Sequence, residues 1–393
     1  MTLNNSFDVI VIGVGSMGSA TCYYLAKRGY KVLGLEQFDI SHEFGSHAGQ
    51  SRIIRKAYFE HPDYVPLLER AYENWDMLEW ETGKQVYYKT GLLYAGKPTN
   101  EIITGVKRSA GLYNIDLDQM NMAAAADQFP HFKFPDDFEI LFEPEAGFIT
   151  PEKAIRLYAS QAKKNGAAIQ SNEKVIDWSK GTPSEKKDGT NIIVRTGKDT
   201  YQCNKLIITA GAWAGKMIPG LADKIKVTRQ FVAWIKTKND DQFELNKFPC
   251  WMIGDDLKHG CYYGFPLLDT EKFGEPAGLK LAHHFPFQTT DPDNVNRQTT
   301  EFDLENLNYC LKKYLPGVFD SILHTKICLY ANSPDENFII DKLPGYEENV
   351  SIACGFSGHG FKFASVVGEI LADLATEGKT HLSIEFLTAK RFV

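Results

Sequence analysis

Short apolar runs alternate with amphipathic segments along the first part of the chain. Residues 7–12, "FDVIVI", end in four consecutive β-branched side chains, which predicts a buried parallel strand. Residues 16–28 then follow a helical pattern that ends at Gly29, a residue suited to the position after a helix. A second apolar run, residues 31–36, ends in Glu36. This order of strand, helix and strand predicts a βαβ unit.

Two later segments combine a strand with small residues. Residues 205–215, "KLIITAGAWAG", predict a short strand that runs into Thr209, Ala210 and Gly211, as in two-domain flavoproteins where the chain returns to the nucleotide domain. Residues 350–374 predict a strand at about 350–354, a loop with Gly355, Gly358 and Gly360, and a helix beginning near Phe361. The apolar residues on one face of this helix are Val367, Ile370, Leu371 and Leu374.

Two further segments have simpler patterns. Residues 326–341, "KICLYANSPDENFIID", predict a strand, a polar turn and a second strand. Residues 179–191, "SKGTPSEKKDGTN", predict a polar hairpin or loop.

Three glycines follow the first strand with the spacing G-x-G-x-x-G. Gly13 suits the tight turn, Gly15 would let backbone N–H groups approach a pyrophosphate, and Gly18 would allow close packing of helix on strand. Glu36 would accept hydrogen bonds from the ribose hydroxyls of an adenosine, which argues against NADP. These residues leave NAD and FAD both open.

The helix near Phe361 favours FAD. Its N-terminus would present unpaired N–H groups and a partial positive charge to whatever the glycine loop touches. A reduced flavin carries negative charge over N1 and O2, which the positive end of a helix would stabilise. A nicotinamide does not require a positive charge at this place. Bound FAD would therefore account both for the glycine turn near the start of the chain and for the helix near Phe361.

Composition and charge exclude other classes of protein. The chain has 393 residues, which favours two domains, and 43 basic against 50 acidic residues give a net charge of −7. With its basic residues scattered, we expect no nucleic-acid partner. No apolar run is long enough to span a membrane and no signal peptide is visible, so a cytoplasmic location is expected. Seven cysteines without a C-x-x-C pair indicate neither disulfides nor a metal site.

Together with the glycine-rich opening, five further segments resemble the family of monomeric sarcosine oxidase and N-methyltryptophan oxidase, within the D-amino-acid-oxidase-like superfamily. They are "GSHAGQSRIIR", "YYGFP", "GLKLAHH", "CLY" followed by "DENFIID", and "GFSGHGFK". The resemblance runs in order from near residue 7 to near residue 390. It implies FAD attached through its 8α-methyl group to a cysteine, here Cys328. The alternative is that Cys328 is a buried free thiol.

The segment "GSHAGQSRIIR" supplies further residues by resemblance. Ser46 and Arg52 would lie against the flavin, and Arg55 would clamp the carboxylate of an amino-acid substrate. The two arginines are three residues apart, which in a helical turn would place them on one side. Where close sarcosine oxidases have two successive histidines, this chain has His47 and Ala48.

The resemblance implies roles for residues later in the chain as well. In "GFSGHGFK", Gly358, His359 and Gly360 would contact the cofactor, and Lys362 would be both a cofactor contact and the second partner of the substrate carboxylate. In "GLKLAHH", Lys280 would lie over the flavin N5 edge, where a cation stabilises superoxide formed from O₂. The remaining active-site residues would be His284, Tyr263 and Tyr330.

The resemblance also implies the fold and the reaction. We expect an α/β, Rossmann-like FAD-binding domain, discontinuous over residues 1–90, 150–215 and 325–393. Residues 91–149 and 216–324 would form an α+β substrate domain on a mainly antiparallel sheet. The protein would be a monomeric oxidase of sarcosine or a related N-methyl amino acid, using O₂ and releasing H₂O₂. N-methyltryptophan, pipecolate, proline and fructosyl amino acids are alternative substrates, and an NAD-dependent dehydrogenase or a non-catalytic flavin-binding protein are alternative functions.

Overall fold

The computed structural model describes residues 5–181, 191–257, 260–284 and 288–392. In chain order its strands are β1 (Ser6–Ile12), β2 (Val32–Leu35), β3 (Arg52–Ile54), β4 (Tyr87–Lys89), β5 (Leu92–Gly96), β6 (Asp118–Met120), β7 (Glu139–Glu143), β8 (Gly147–Ile149), β9 (Ala168–Gln170), β10 (Val175–Lys180), β11 (Ile192–Thr196), β12 (Thr200–Ile208), β13 (Lys226–Thr237), β14 (Cys250–Gly254), β15 (Cys261–Gly264), β16 (Leu279–His284), β17 (Phe319–Asn332), β18 (Ile339–Lys342) and β19 (Val350–Cys354). Its α-helices are α1 (Ser16–Lys27), α2 (Val65–Thr82), α3 (Glu101–Tyr113), α4 (Met122–Gln128), α5 (Pro151–Lys164), α6 (Ala214–Met217), α7 (Thr270–Phe273), α8 (Glu301–Tyr314) and α9 (Ala364–Thr376).

A first large sheet has the order β10-β11-β12-β1-β2-β9, with β19 beside β12 and β18 beside β19. β1 is parallel to β2 and β12, and β12 is parallel to β19. Ile12 lies opposite both Leu35 and Ile208, so three strands end together at one edge. This edge carries the glycine turn, Glu36 and Thr209, and the order of elements confirms the Rossmann-like prediction.

Helices α1, α5 and α9 pack together beside this sheet. A Cβ on Gly368 of α9 would come within 2.5 Å of the Ala20 Cβ, so glycine permits close contact between α9 and α1. In the part of the chain that the structure describes, no helix has both the length and the apolar character needed to cross a membrane.

The second large sheet has the order β17-β13-β16-β15-β14-β5-β7-β6. Its neighbours are antiparallel except for the parallel pair of β14 and β5. β17 lies in this sheet and β18 in the first, so the predicted strand, turn and strand of residues 326–341 connects the two sheets. β17 also runs across the boundary expected at residue 325.

Three sequence expectations differ from the structure or lie outside the described residues. Arg52 belongs to β3 in a small sheet of order β3-β8-β4, so the predicted helical turn between Arg52 and Arg55 is wrong. Residues 182–190 of the predicted polar loop lie outside the described residues, and the flanking strands β10 and β11 pair antiparallel. The helix predicted from Phe361 begins with a 3₁₀ turn, Phe361–Phe363, and becomes α-helical at Ala364.

Candidate active site

A cavity of about 620 Å³ lies between the two large sheets. The strand ends of the first sheet contribute Ile12, Gly13, Leu35, Glu36, Thr209 and Ala353. The second sheet contributes Gln230, Val232, Met252, Tyr263, His284, Cys328 and Tyr330. The volume and the position at the carboxyl ends of parallel strands are typical of a ligand site.

The glycine turn shapes one end of the cavity. Gly13 has a φ of +88°, and a Cβ there would lie 2.5 Å from the Thr209 carbonyl oxygen. A Cβ on Gly18 would overlap the Gly13 carbonyl oxygen, so Gly18 packs α1 against the turn and does not line the cavity. The nearest atom to a Cβ on Gly15 would be His47 Nδ1, at 4.0 Å. Gly15 therefore leaves room for a ligand to approach the backbone.

Glu36 lies at the same end, and its carboxylate is held by the backbone. It accepts from the N–H of Val14 at 2.9 Å and of Phe38 at 3.1 Å, and His42 Nε2 lies 3.6 Å away. Burial raises the pKa of Glu36 against the opposing effect of these hydrogen bonds. The carboxylate is thus fixed at the cavity wall and can still accept from a ligand hydroxyl.

Arg52 and Cys328 meet around the backbone of residues 46–48. The Arg52 guanidinium donates to the carbonyl oxygens of Ser46 at 3.0 Å and Ala48 at 2.6 Å. The buried Cys328 thiol donates to the Ala48 carbonyl oxygen at 3.3 Å and lies 4.0 Å from the guanidinium. Ser46, Arg52 and Cys328 all line the cavity, so the thiol lies in the cavity wall beside a cation.

Arg55 is buried, with 2% of its surface exposed, and holds a carboxylate inside the cavity. One guanidinium nitrogen lies 2.7 Å from each carboxylate oxygen of Glu60, and the other donates to the Ala57 carbonyl oxygen at 3.1 Å. Burial acts to raise the pKa of Glu60, but the charges of Arg55, His359 and Lys362 and the hydrogen bonds from Arg55 together outweigh it and lower the pKa to about 2. The idea that Arg55 is a surface cation is therefore excluded.

Lys362 lies beside this ion pair. Its ammonium donates to the His359 carbonyl oxygen at 2.7 Å and lies 5.2 Å from the centre of the Tyr58 ring. Burial, together with the Arg55 charge, lowers the pKa of Lys362 to about 7. Burial also lowers the pKa of His359 to about 4, and Nδ1 of this ring lies 2.5 Å from the Tyr58 hydroxyl. His359 is therefore neutral near pH 7.

Three side chains of the second sheet face the cavity: Tyr263 on β15, His284 on β16 and Tyr330 on β17. Nδ1 of His284 lies 2.9 Å from the Tyr330 hydroxyl, and the Tyr263 ring is edge-on to His284 at 6.4 Å. Burial lowers the pKa of His284 and raises that of Tyr263 to about 12. At neutral pH these residues give the cavity polar but uncharged walls.

Lys280 is buried behind the cavity wall and does not line the cavity itself. Its Nζ donates to the carbonyl oxygens of Gly49 at 2.5 Å and Ser51 at 2.6 Å, and lies 3.1 Å from Ser51 Oγ. The rings of Phe265 and Trp234 lie 4.4 and 5.6 Å from Nζ. The alternative of a surface lysine is excluded.

The loop at 358–360 needs its glycines for steric reasons. Gly358 has a φ of +80°, and a Cβ there would overlap the Tyr330 ring. A Cβ on Gly360 would lie 2.5 Å from the Phe356 Cβ. Both glycines and His359 line the cavity, so the loop presents backbone to it.

Comparison with known proteins decides which dinucleotide this geometry serves. A family described as FAD dependent oxidoreductase matches residues 8–374. The chain belongs to this FAD-dependent oxidoreductase family. The prediction of FAD as the cofactor is confirmed, and the alternative of an NAD-dependent dehydrogenase is wrong.

Within the FAD-dependent oxidoreductases, the chain is similar over nearly its whole length to curated proteins. It is 37% identical to monomeric sarcosine oxidase of Bacillus sp. (strain NS-129), covering 99% of this chain and 98% of that protein. It is 35% identical to N-methyl-L-tryptophan oxidase of Salmonella enteritidis PT4, covering 95% of each. Among solved structures, NikD, an unusual amino acid oxidase, superposes with a TM-score of 0.82 at 23% identity over 98% of each chain. That likeness shows the shared fold.

The residues present fit FAD. Gly15 leaves space beside the N-terminus of α1, where a pyrophosphate would bind, and Glu36 lies where an adenosine ribose would be held. His47 is 4% exposed and lines the cavity, and its Nε2 has no hydrogen-bond partner among the described residues. An orphaned polar atom facing a cavity indicates a ligand group that completes its hydrogen bonding.

Three residues of the site were missed from the sequence. Glu60 pairs with Arg55, Tyr58 contacts His359, and Glu152 accepts from the backbone of Gly49 at 2.6 Å. The first two lie close to Arg55 in the chain, so an acid and a tyrosine soon after that arginine were available signals. Glu152 is about a hundred residues away from its partner and gives no local signal.

Proposed function

We propose that this FAD-dependent oxidoreductase is an oxidase of secondary amines, acting on sarcosine or a related N-methyl amino acid. The products would be the imine, which hydrolyses to an aldehyde and a primary amino acid, and H₂O₂ from O₂. The names of the two curated relatives support this substrate class. The uncharged walls around His284 and Tyr330 support an amine that reacts in its neutral form.

One observation carries the proposal. Arg55 already holds a carboxylate, that of Glu60, within the cavity, and the cation of Lys362 lies beside the pair. A buried guanidinium with an ammonium nearby attracts a carboxylate. The substrate carboxylate would take the place of the Glu60 carboxylate.

The chain's own residues would orient the substrate. With its carboxylate held by Arg55 and Lys362, the amine would lie toward Tyr263, His284 and Tyr330. His284 is neutral because burial lowers its pKa, so no imidazolium repels or protonates the amine. FAD, when bound, supplies the hydride acceptor and the route of two electrons to O₂.

A peroxide-coupled screen of the purified, yellow protein tests the substrate class. Sarcosine, N-methyltryptophan, pipecolate, proline and a fructosyl amino acid are compared at equal concentration, with the matching amines that lack a carboxylate as controls. We expect substrate-dependent H₂O₂ with an N-methyl amino acid and little with the decarboxylated analogue. If no amino acid gives peroxide, the protein is not an oxidase of this class.

We also propose that the FAD is attached through Cys328. The support is the sequence resemblance and the place of this thiol in the cavity wall, beside the Arg52 cation. After acid precipitation, yellow colour should stay with the polypeptide of the parent protein and leave that of Cys328→Ala. Cys354→Ala, which alters a buried cysteine outside the cavity, is the matched control. Colour that leaves the parent polypeptide would contradict the link.

Two further proposals concern the state of the protein. The name monomeric sarcosine oxidase supports a monomer, which light scattering of the purified protein tests. None of the seven cysteines forms a disulfide, which supports a reducing compartment such as the cytoplasm. A dimer in solution would contradict the proposal of a monomer.

A further inference from the structure

The backbone segment 49–51 contacts two charged side chains, Lys280 and Glu152. Its carbonyl oxygens, on Gly49 and Ser51, accept from Lys280 Nζ. Its N–H groups, on Gly49 and Gln50, donate to one carboxylate oxygen of Glu152, at 2.6 and 3.1 Å. The peptide backbone is therefore held from both sides, by a cation and by an anion.

This segment has a backbone shape that needs support. Gly49 has a φ of +119° and Gln50, which has a side chain, a φ of +69°. Left-handed backbone at a residue other than glycine is disfavoured and persists where surrounding contacts impose it. The Gln50 side chain adds contacts to the Gly274 carbonyl oxygen at 2.7 Å and to Trp234 Nε1 at 3.2 Å.

Glu152 is well placed to hold this shape. It lies in the first turn of α5, where the helix dipole favours a carboxylate, and it does not line the cavity. Its charge also acts to raise the pKa of Lys280, against the larger effects of burial and of Arg52, which lower it. Glu152 thus acts on Lys280 through the backbone and through its field. It does not line the cavity itself, and its charge also acts to raise the pKa of His47, which does.

We propose that Glu152 is a positioning residue: its carboxylate fixes the segment 49–51 in the shape in which two carbonyl oxygens hold the Lys280 ammonium. The inference rests on the proposed function, in which O₂ takes up two electrons from the reduced cofactor and two protons to give H₂O₂. A fixed cation next to the cavity stabilises the negative charge that O₂ acquires. Loss of Glu152 therefore affects the reaction with O₂ and leaves substrate oxidation largely intact.

The test separates the two half-reactions of the flavin-loaded protein. Photoreduced protein is mixed with O₂ and followed at the flavin absorbance, and the oxidised protein is separately mixed with substrate without O₂. We expect Glu152→Ala to slow reoxidation about 10- to 100-fold, as for a group misplaced by about 1 Å, and to change reduction little. Glu152→Gln keeps an oxygen that can accept both N–H groups and should retain most of the parent rate.

Three further variants make the result decisive. Glu301→Ala removes an exposed acid from the first turn of α8 and should reoxidise like the parent. Glu152→Asp, which shortens the side chain, should be slow and replaces Glu152→Ala if the latter does not fold. Adding Glu152→Ala to Lys280→Met should slow reoxidation no further than Lys280→Met alone, because both act through one group. A crystal structure of Glu152→Ala should show Nζ displaced from both carbonyl oxygens.

Several outcomes would overturn the inference. They are a parent-like reoxidation rate in Glu152→Ala, equal slowing of both half-reactions, and additive effects with Lys280→Met. Photoreduction needs no amine substrate, so this assay still reports on Glu152 if the peroxide screen finds no substrate. Failure of the proposed function and failure of this inference are thus distinguishable.

Discussion

At the scale of single residues, Arg55 holds an internal carboxylate in the same place where a substrate carboxylate is proposed to bind. Glu60 satisfies the buried guanidinium, which would otherwise be an unpaired charge in the protein interior. Substrate binding is then an exchange of one carboxylate for another. Such an exchange favours the binding of small anionic substrates only where a second cation, here Lys362, adds to the attraction.

Replacing Arg55 should chiefly weaken substrate binding. Arg55→Met removes an interaction made equally in the ground and transition states, so KM should rise about 10- to 100-fold with a smaller fall in kcat. Steady-state peroxide assays measure both constants. Arg108→Met, which alters an exposed arginine of α3, is the matched control and should change neither. A fall in kcat with unchanged KM would argue against a carboxylate clamp.

Lys362 predicts a pH dependence of anion binding. Its pKa of about 7 means that the ammonium is present below pH 7 and lost above it, so the Kd of a carboxylate should rise by up to about tenfold per pH unit above pH 7. Glu60 and His359, with pKa values of about 2 and 4, do not titrate in this range. Titration of the flavin spectrum with propionate, which has no amine, measures this Kd.

The control for this titration is Lys362→Gln, which has no charge to lose. Its Kd for propionate should be weaker at pH 6 and nearly constant from pH 6 to pH 9. If the parent protein shows a flat profile as well, Lys362 is not a partner of the carboxylate.

At the scale of elements, the glycine turn between β1 and α1 shows how local geometry sets up the cofactor end of the cavity. The turn requires glycine at Gly13 for its φ and at Gly18 for contact with the Gly13 carbonyl oxygen. Gly15 differs, because its missing side chain leaves space toward the cavity. Two of the three glycines are thus needed by the fold itself, and one by the ligand.

Gly18→Ala tests the packing part of this description. The added Cβ must push α1 away from the turn, which should lower the free energy of unfolding by about 1–3 kcal/mol and reduce the flavin content. Urea unfolding and the ratio of visible to protein absorbance measure these changes. The matched control is Gly111→Ala in α3, where a Cβ meets no heavy atom within 4 Å, and it should be neutral or slightly stabilising. Full flavin content and parent stability in Gly18→Ala would contradict the description.

At the scale of the whole molecule, the two large sheets together form the cavity wall, and the chain passes from one sheet to the other several times. β17 carries Cys328 and Tyr330 in the second sheet, and the chain then enters β18 of the first sheet. A cofactor in this cavity therefore contacts both sheets at once. The division of the chain into an FAD-binding and a substrate domain stays a prediction.

Bound FAD should stabilise the whole molecule. A ligand that binds only the folded state at 100 times its Kd adds about 2.7 kcal/mol, and contact with both sheets should keep unfolding in one transition. Calorimetry of Cys328→Ala with and without added FAD measures the Tm, and this variant allows the flavin to be removed. Riboflavin, which lacks the adenosine and the pyrophosphate, is the control ligand. An unchanged Tm on adding FAD would contradict the proposed place of the cofactor.

The sequence by itself determined the features that arise from neighbouring residues. The βαβ opening, the glycine turn and the strand, turn and strand of residues 326–341 follow from periodicity and local sterics. Arg52 and Arg55 show where such reasoning failed, because their spacing suggested a helical turn and the segment pairs with β8 as a strand. Pairing with a distant strand overrides local preference.

Only the tertiary structure decided which charges meet. Glu152 and Lys280 act on the same three residues, 49–51, although they lie 128 positions apart in the chain. No periodicity encodes such a contact, because it depends on how β16 and α5 are placed by the two sheets. Local sequence sets the shape of each element, and the burial of distant charges against one another sets the chemistry of the site.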